Sequence, residues 1–425
     1  MINARKLAVD ALQKVNSNNG FSNIVLGNIT AAEGIDQQDI AFISTLFYGV
    51  LERKITLNYI IEKLTKRKIN KMHPFVAEVL RVGIYQLLYM DKVPESAAVN
   101  ESVKLIKKSK QSFASGFVNA VLREVIRKSY ELIPEDNTVK SMSIRYSCSK
   151  WLVEELIGDY GTTDTEEFLK DSLNVPPIYI RVNNLKTTAE ELKKELEQTG
   201  VIVQECNNVS SALQLEKIGN IEYNHYYRSG CFHVQDLASQ LCINELDVHE
   251  GDRVLDICSA PGGKSFTAAE IMHNIGEIVA CDIYEHRVKL IDDGAKLLGI
   301  SIINSKVSDA TKFDETLGLF DRVLCDVPCS GFGAIRRKPE IKYKSKSEVD
   351  KLPEIQFEIL KNASKYLKKC GQIVYSTCTL RKCENDDIID RFTKENPEFC
   401  LLKKSTLFPH KNQSDGFFIS ILKRC

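Results

Sequence analysis

Arg253-Val254-Leu255-Asp256-Ile257-Cys258-Ser259-Ala260-Pro261-Gly262-Gly263-Lys264-Ser265 is the stretch that decides the fold. Arg253 to Ile257 reads as an apolar strand, Pro261-Gly262-Gly263 as a tight turn, and the residues beyond as the first turn of a helix. A strand that runs through a glycine-rich turn into a helix is a unit of the parallel α/β sheet, where ligands gather at the carboxyl ends of the strands. Glycine lets the backbone approach such a ligand closely, and the helix N-terminus favours a negative group such as a carboxylate. Gly263-Lys264-Ser265 looks like the end of a phosphate-cradling Walker loop, but Cys258 stands where that loop needs its earlier glycine. A nucleoside triphosphatase is therefore discounted, and a GxGxxG dinucleotide turn is missing as well.

Downstream the same rhythm continues. Strand Glu277 to Cys281 precedes a helix over Glu285 to Leu298, and strands follow at Arg322 to Asp326 and Gln372 to Tyr375. Residues 233–425 thus read as one α/β domain. Acids stand at or just beyond strand ends: Asp282, Asp309 and Asp326. An acid after the second strand can accept both hydroxyls of a ribose, so Asp282 is a ribose candidate; its bland alternative is a helix cap for Tyr284 onward. For Asp309 the bland alternative is a surface loop acid. Two cysteines also follow strands, Cys329 in Asp326-Val327-Pro328-Cys329-Ser330-Gly331 and Cys378 in Ser376-Thr377-Cys378-Thr379. Most cysteines are small buried hydrophobes, but these two are flanked by polar turn residues. Both would face one crevice beside a carboxylate, which suggests covalent catalysis. Arg336 and Arg337, just beyond Cys329, would favour a thiolate or bind a backbone phosphate.

Upstream the pattern changes. From Ala4 to about Lys128 apolar residues recur at helical spacing, as in Ile43, Leu46, Phe47, Val50 and Leu51, with breaks at Asn18-Asn19-Gly20, His73-Pro74 and Val93-Pro94. Residues 1–132 are read as an all-helical bundle. After the polar linker Ile133-Pro134-Glu135-Asp136-Asn137, residues 141–232 read as a small α+β module, with strands at Ile178 to Val182 and Val201 to Val203 around a helix carrying Leu192 and Leu196. Net charge is zero over the whole chain, yet residues 1–130 hold 19 basic and 11 acidic side chains, leaving 38 and 46 for the rest. The basic end is where a polyanion would dock, unless it is simply a solvated helical face.

Composition excludes several classes. No apolar run approaches the roughly 20 residues of a membrane span, and the charged start from Met1 lacks the apolar core of a signal peptide. The expectation is a cytoplasmic protein without membrane contact. Its thirteen cysteines are odd in number and scattered, so reduced thiols are expected, and neither CxxC nor paired-histidine spacing offers a metal site.

Together, Asp256 to Lys264, Asp326 to Gly331 with Ile335-Arg336-Arg337-Lys338-Pro339-Glu340, and Ser376 to Thr379 resemble the RNA 5-methylcytosine methyltransferases of the NOL1/NOP2/Sun family. Phe47-Tyr48-Gly49-Val50-Leu51-Glu52-Arg53 and Phe117-Val118-Asn119-Ala120-Val121-Leu122-Arg123 resemble the NusB-type RNA-binding domain of its bacterial ribosomal members. The resemblance covers nearly the whole chain. It departs slightly at Ser259, Ser265 and Phe332, where alanine, threonine and threonine are common, and none of these removes a charge or a thiol. It implies a Rossmann-like class I methyltransferase domain binding S-adenosyl-L-methionine. Cys258, Ser259, Ala260, Pro261, Gly262, Gly263 and Lys264 would surround the methionine part, with Asp282 on the ribose, Asp309 beside the adenine and Asp326 near cofactor and base. It further implies Cys378 as nucleophile and Cys329 as the thiol that assists product release.

The chemistry accounts for these residues. Carbon 5 of cytosine is a poor nucleophile until a thiolate adds at carbon 6, and an acid at Asp326 can stabilise the charge that develops. The target base must be presented unstacked, which RNA loops do most cheaply. Arg181, Arg336 and Arg337 are expected to contact phosphates. The implied partner is 16S rRNA or a small-subunit assembly particle, with no obligatory protein partner and a monomeric chain. A transfer-RNA methyltransferase and a non-catalytic ribosome-assembly factor are the alternatives.

Overall fold

The computed structural model describes residues 3–18, 22–30, 35–128 and 131–425. Of the sequence breaks, Asn19-Gly20 lies outside the described residues. The chain forms two compact units, the first running up to Asn174 and including residues 335–345, the second made of residues 175–334 and 346–425.

The first unit is helical. Seven helices are described in residues 4–128: Ala4–Asn18, Ser22–Thr30, Gln37–Glu52, Lys54–Thr65, Pro74–Tyr89, Glu95–Lys107 and Ser115–Lys128. Pro74 occupies the first turn of its helix behind the cap His73, where its missing N–H costs nothing. The expected apolar stripes meet in one core, in which Ile43, Leu46, Phe47, Val50, Val79, Leu80, Ile84 and Leu122 are all but inaccessible. Two further helices, Val139–Arg145 and Lys150–Asp171, join this unit; residues 146–149 turn between them, and the second helix is kinked at Gly161. Residues 335–345, which follow the Cys329 motif in sequence, also pack here. The Tyr343 hydroxyl accepts from the Lys54 amide at 3.1 Å and donates to the Leu51 carbonyl. Lys342 is fully buried, and burial pulls its ammonium down to about 8 against the opposing pull of Glu52.

The second unit begins with a four-stranded antiparallel sheet in the order β2-β3-β1-β4, made of Ile178–Val182 (β1), Ile202–Glu205 (β2), Ala212–Glu216 (β3) and Phe232–Val234 (β4). Helix Ala189–Gln198 starts with a capping box between Thr188 and Glu191 and buries Leu192 and Leu196 against this sheet. Seven more strands follow: Arg253–Asp256 (β5), Glu277–Asp282 (β6), Ile303–Val307 (β7), Phe320–Asp326 (β8), Leu367–Thr377 (β9), Phe399–Leu407 (β10) and Phe417–Arg424 (β11). Their sheet runs β10-β11-β9-β8-β5-β6-β7, parallel from β9 to β7, with β11 antiparallel to β9 and β10 antiparallel to β11. Alternate residues feed opposite faces, as strand geometry requires. Leu255, Val279, Val323 and Ile373 pack on one side with Phe357 and Phe392, while Val254, Ile278, Leu324 and Val374 pack on the other with Ala269 and Ile291. Burying each such side chain contributes about 1.5–3 kcal/mol.

The β10–β11 hairpin corrects one expectation. Its register sets Cys400 opposite Lys423, which brings Cys425 alongside, and Cys400 and Cys425 form a disulfide. The sequence points to reduced thiols throughout; pairing across a hairpin depends on register, which a spacing of 25 residues does not reveal. Among the described residues no helix is long and apolar enough to cross a membrane.

Candidate active site

Strand order reverses between β5 and β8, so the crevice of this sheet opens at their carboxyl ends. Asp256 closes β5 and Asp326 closes β8, with Asp326 in register with Ser376 on β9. Cys329 lies three residues past β8 and Cys378 one residue past β9. Parallel neighbours carry both thiols to the same place, and their sulfurs lie 3.2 Å apart. Its hydrogen bond to the Cys378 sulfur, then burial, then the charges of Glu384 and Asp326 hold the Cys329 thiol well above its ordinary value, so Cys329 keeps its proton beside its neighbour.

The two thiol loops are tied to each other. Gly333 N–H donates to the Cys378 carbonyl at 2.9 Å, and the Ser330 and Thr379 hydroxyls are 2.8 Å apart. A Cβ on Gly333 would collide with the Gly416 carbonyl oxygen, so only glycine allows this approach. Beneath the loops, fully buried Glu384 accepts from Ser330 N–H and from the Gln356 amide, each at 2.9 Å, and from the Arg381 guanidinium at 3.0 Å. Asn385 accepts from the Thr377 hydroxyl at 2.6 Å and donates to the Thr379 carbonyl at 2.9 Å. Glu384, Asn385 and Gln356 are not evident from the sequence because each acts through a neighbour that only the fold supplies.

Asp326 takes the Lys264 ammonium at 2.6 Å on one oxygen and the Ser376 hydroxyl at 2.7 Å on the other. Burial alone would lower Lys264, but Asp326 and neighbouring groups outweigh it and hold the ammonium above its usual range. Lys264 therefore links the glycine-rich turn to the thiol strands. Asp256, which sequence reading does not single out as a site residue, is buried and pushed up to about 6 by desolvation; one oxygen accepts from Ser265, and the other has no hydrogen-bond partner among the described residues.

The turn itself matches its sequence. Gly262 adopts φ 106°, which a side chain would resist, and a Cβ there would collide with the Phe266 ring. Gly262 caps helix Gly263–Ile271, and the Ser259 amide is anchored to the Cys281 carbonyl at 2.7 Å. On the next strand Asp282 is buried, accepting from Tyr284 N–H at 3.1 Å and pairing with Arg287 at 2.9 Å. This bond fixes the turn ahead of helix Glu285–Leu298 but does not cap it, since Tyr284 is the cap residue and no side chain makes a capping bond there. Asp309, after β7, accepts from Thr311 and pairs with Lys312 at 3.2 Å; the Thr311 hydroxyl is the main reason that its carboxyl sits below the usual range. These groups fit a nucleoside and its charged tail: a turn bared of side chains at Gly262 and Gly263, an orphaned buried carboxylate oxygen on Asp256, and acids at or just beyond the ends of β6 and β7.

Arg181 requires a correction. It is 4% exposed and pairs with Glu270 at 3.0 Å, so its guanidinium serves the interior rather than a phosphate. The sequence shows its charge and not the carboxylate 89 residues away that claims it. Arg336 belongs to the helical unit, where it is buried and pairs with Asp171 at 3.1 Å, and Arg337 beside it is half-buried.

Comparison with known proteins agrees with this arrangement. Residues 2–127 match the NusB family, residues 148–222 the ferredoxin-like domain of RsmF/B-type methyltransferases, and residues 243–423 the 16S rRNA methyltransferase RsmB/F family. The probable ribosomal RNA small subunit methyltransferase B of Bacillus subtilis is 35% identical, covering 99% of this chain and 98% of its own. The ribosomal RNA small subunit methyltransferase B of Shigella sonnei is 30% identical, with 99% and 98% covered. The crystal structure of PH0851 superposes with a TM-score of 0.83 at 26% identity, covering 100% of this chain and 99% of that one. The chain belongs to the ribosomal RNA small subunit methyltransferase B family, and it is a methyltransferase built from a NusB-type helical domain, a ferredoxin-like module and a catalytic α/β domain.

Proposed function

We propose that this enzyme methylates carbon 5 of a cytosine in 16S rRNA through a covalent bond from Cys378 to carbon 6, with S-adenosyl-L-methionine as methyl donor. The observation that carries the reading is the pair of thiols 3.2 Å apart at the ends of two adjacent parallel strands, beside the Lys264–Asp326 ion pair.

Cys258 to Lys264 and Asp282 would hold the cofactor, with Asp309 beside its base; when bound, it supplies an electrophilic methyl group. Cys378 attacks carbon 6 as a thiolate, forming the sulfur–carbon bond and pushing the ring electrons onto carbon 5. Asp326, its carboxyl group positioned by Lys264 and Ser376, would share a proton with ring nitrogen 3 and so stabilise the negative charge that develops as the thiolate adds. After carbon 5 is methylated, a base removes its proton, the ring double bond re-forms and Cys378 leaves as a thiolate. Cys329, held protonated, donates a hydrogen bond to the departing sulfur and favours release.

The test is transfer of labelled methyl from S-adenosyl-L-methionine to unmodified small-subunit ribosomal RNA, followed by digestion to nucleosides. Label in 5-methylcytidine supports the reading. Label in another nucleoside, or in transfer RNA alone, overturns it, and an inert protein that still binds the RNA points to an assembly factor.

A further inference from the structure

The helical unit contains a cleft of about 900 Å³ that none of the chemistry above uses. It opens between helices Ala4–Asn18 and Pro74–Tyr89 and the segment around Ile69–Lys71, and its volume is within the roughly 300–1,000 Å³ of small-ligand pockets. Apolar side chains such as Leu7, Ile29 and Met72 wall it, and a charged network forms its floor.

Glu78 is the centre of that floor, and it is 3% exposed. One carboxylate oxygen accepts from Asn16 at 2.8 Å and from Arg81, while the other meets no hydrogen-bond partner among the described residues. Lys54 donates to Asn16 at 2.6 Å, and Arg81 to Asn58 at 2.7 Å, so each cation keeps further N–H groups of its own. A buried carboxylate oxygen without a donor is costly, so the site is built for a ligand that supplies N–H groups. The cations beside it ask for an acceptor on the same edge of that ligand, and the apolar walls ask for a planar body.

We propose that this cleft binds a guanine base. Among the four RNA bases, guanine alone carries two adjacent donors, its N1–H and exocyclic amine, next to a carbonyl acceptor. Glu78 takes the donors, and Arg81 or Lys54 takes the carbonyl. Adenine and cytosine offer one amine beside a ring acceptor, and uracil one N–H between two carbonyls. The guanine comes from an unpaired nucleotide of the RNA substrate, which rests on the proposed function, or from a free guanine nucleotide.

The experiment titrates the full-length chain with guanosine and inosine 5′-monophosphates, then with short single-stranded RNAs that carry one guanosine or one inosine at the same position. Inosine lacks only the exocyclic amine. Removing a hydrogen bond to a charged group corresponds to about a tenfold or greater weakening, so inosine is expected to bind at least about tenfold more weakly. Glu78→Gln should abolish the preference, and Asn70→Trp, a substitution at the exposed rim, should block both ligands while leaving thermal unfolding unchanged. Binding of the RNA but not of the mononucleotide assigns the site to RNA; equal binding of both assigns it to a free nucleotide. Equal affinity for guanosine and inosine, or undiminished guanosine binding by Asn70→Trp, overturns the proposal. Methyl transfer is not the readout, so failure here leaves the catalytic reading standing.

Discussion

Replacing Glu384 by glutamine exchanges one carboxylate oxygen for an amide. In the fold Glu384 is fully buried, and both oxygens receive donors: Ser330 N–H and the Gln356 amide on one, the Arg381 guanidinium on the other. Whichever way the glutamine amide turns, its NH₂ faces a donor. If it faces Arg381, two donors oppose each other where the wild type has a charged pair, and both side chains are buried. Removing one hydrogen bond to a charged group and setting donor against donor costs about 2–4 kcal/mol. At about 2–4 °C per kcal/mol for a domain of this size, unfolding should move down by roughly 5–15 °C. The activity effect is larger than the stability effect, because Ser330 is the neighbour of Cys329. A shift of the thiol by about 1 Å costs about 100-fold in rate. Methyl transfer by Glu384→Gln, measured well below its unfolding temperature, should therefore fall about 100-fold while cofactor affinity stays the same. Unchanged unfolding together with wild-type transfer would refute the idea that Glu384 sets the thiol geometry; equal loss of cofactor binding would show that it acts on the whole crevice.

Asp282→Asn keeps the Tyr284 hydrogen bond but removes the charge proposed to receive the ribose hydroxyls; cofactor affinity should drop about 10- to 100-fold by calorimetry, with RNA affinity unchanged. Charge reversal at Lys107, Lys108 and Lys110, all exposed, should weaken RNA binding and make its logarithmic salt slope shallower by about 0.7 for each phosphate no longer neutralised, without changing cofactor binding. Stability against pH should reveal two opposed groups. Burial and Arg181 push His233 down to about 4 from 6.5, so its contribution is present above 6.5 and lost as pH falls through 4. Burial pushes Glu270 up to about 7 from 4.5 against the pull of Arg181, so its contribution is present below 4.5 and lost as pH rises through 7. Between 4.5 and 6.5 the two slopes cancel in the wild type. His233→Gln should gain up to about 3 kcal/mol as pH falls through that window, and Glu270→Gln should lose a similar amount, both read from urea midpoints.

Local pattern makes much of this fold legible in the sequence. Helix Glu285–Leu298 and strand Ile178–Val182 follow directly from their apolar spacing, and the Gly262 turn from its glycines. The thiols are legible because each follows a buried strand, and parallel strands deliver their ends to one crevice. Tertiary pairings are not. The lysines at 368 and 369 conceal the first half of β9, which pairs with β8 from Leu367 onward. The hairpin of β10 and β11 departs from the strand–helix alternation that marks the parallel sheet, and it carries the Cys400–Cys425 disulfide with it. Arg181 and Arg336 look like surface charges until Glu270 and Asp171 are seen beside them. Residues 335–345 read as a loop of the catalytic domain, whereas Lys342 and Tyr343 are held among the helices.

The central claim is that Cys378 forms the bond to RNA and Cys329 helps to break it. Wild type, Cys378→Ala and Cys329→Ala should be incubated with S-adenosyl-L-methionine and unmodified small-subunit ribosomal RNA, then run on denaturing gels that retain only covalent protein–RNA species. The expected result is no adduct and no methyl transfer for Cys378→Ala, and a persistent adduct for Cys329→Ala. An adduct that survives in Cys378→Ala and vanishes in Cys329→Ala would contradict the claim and make Cys329 the nucleophile.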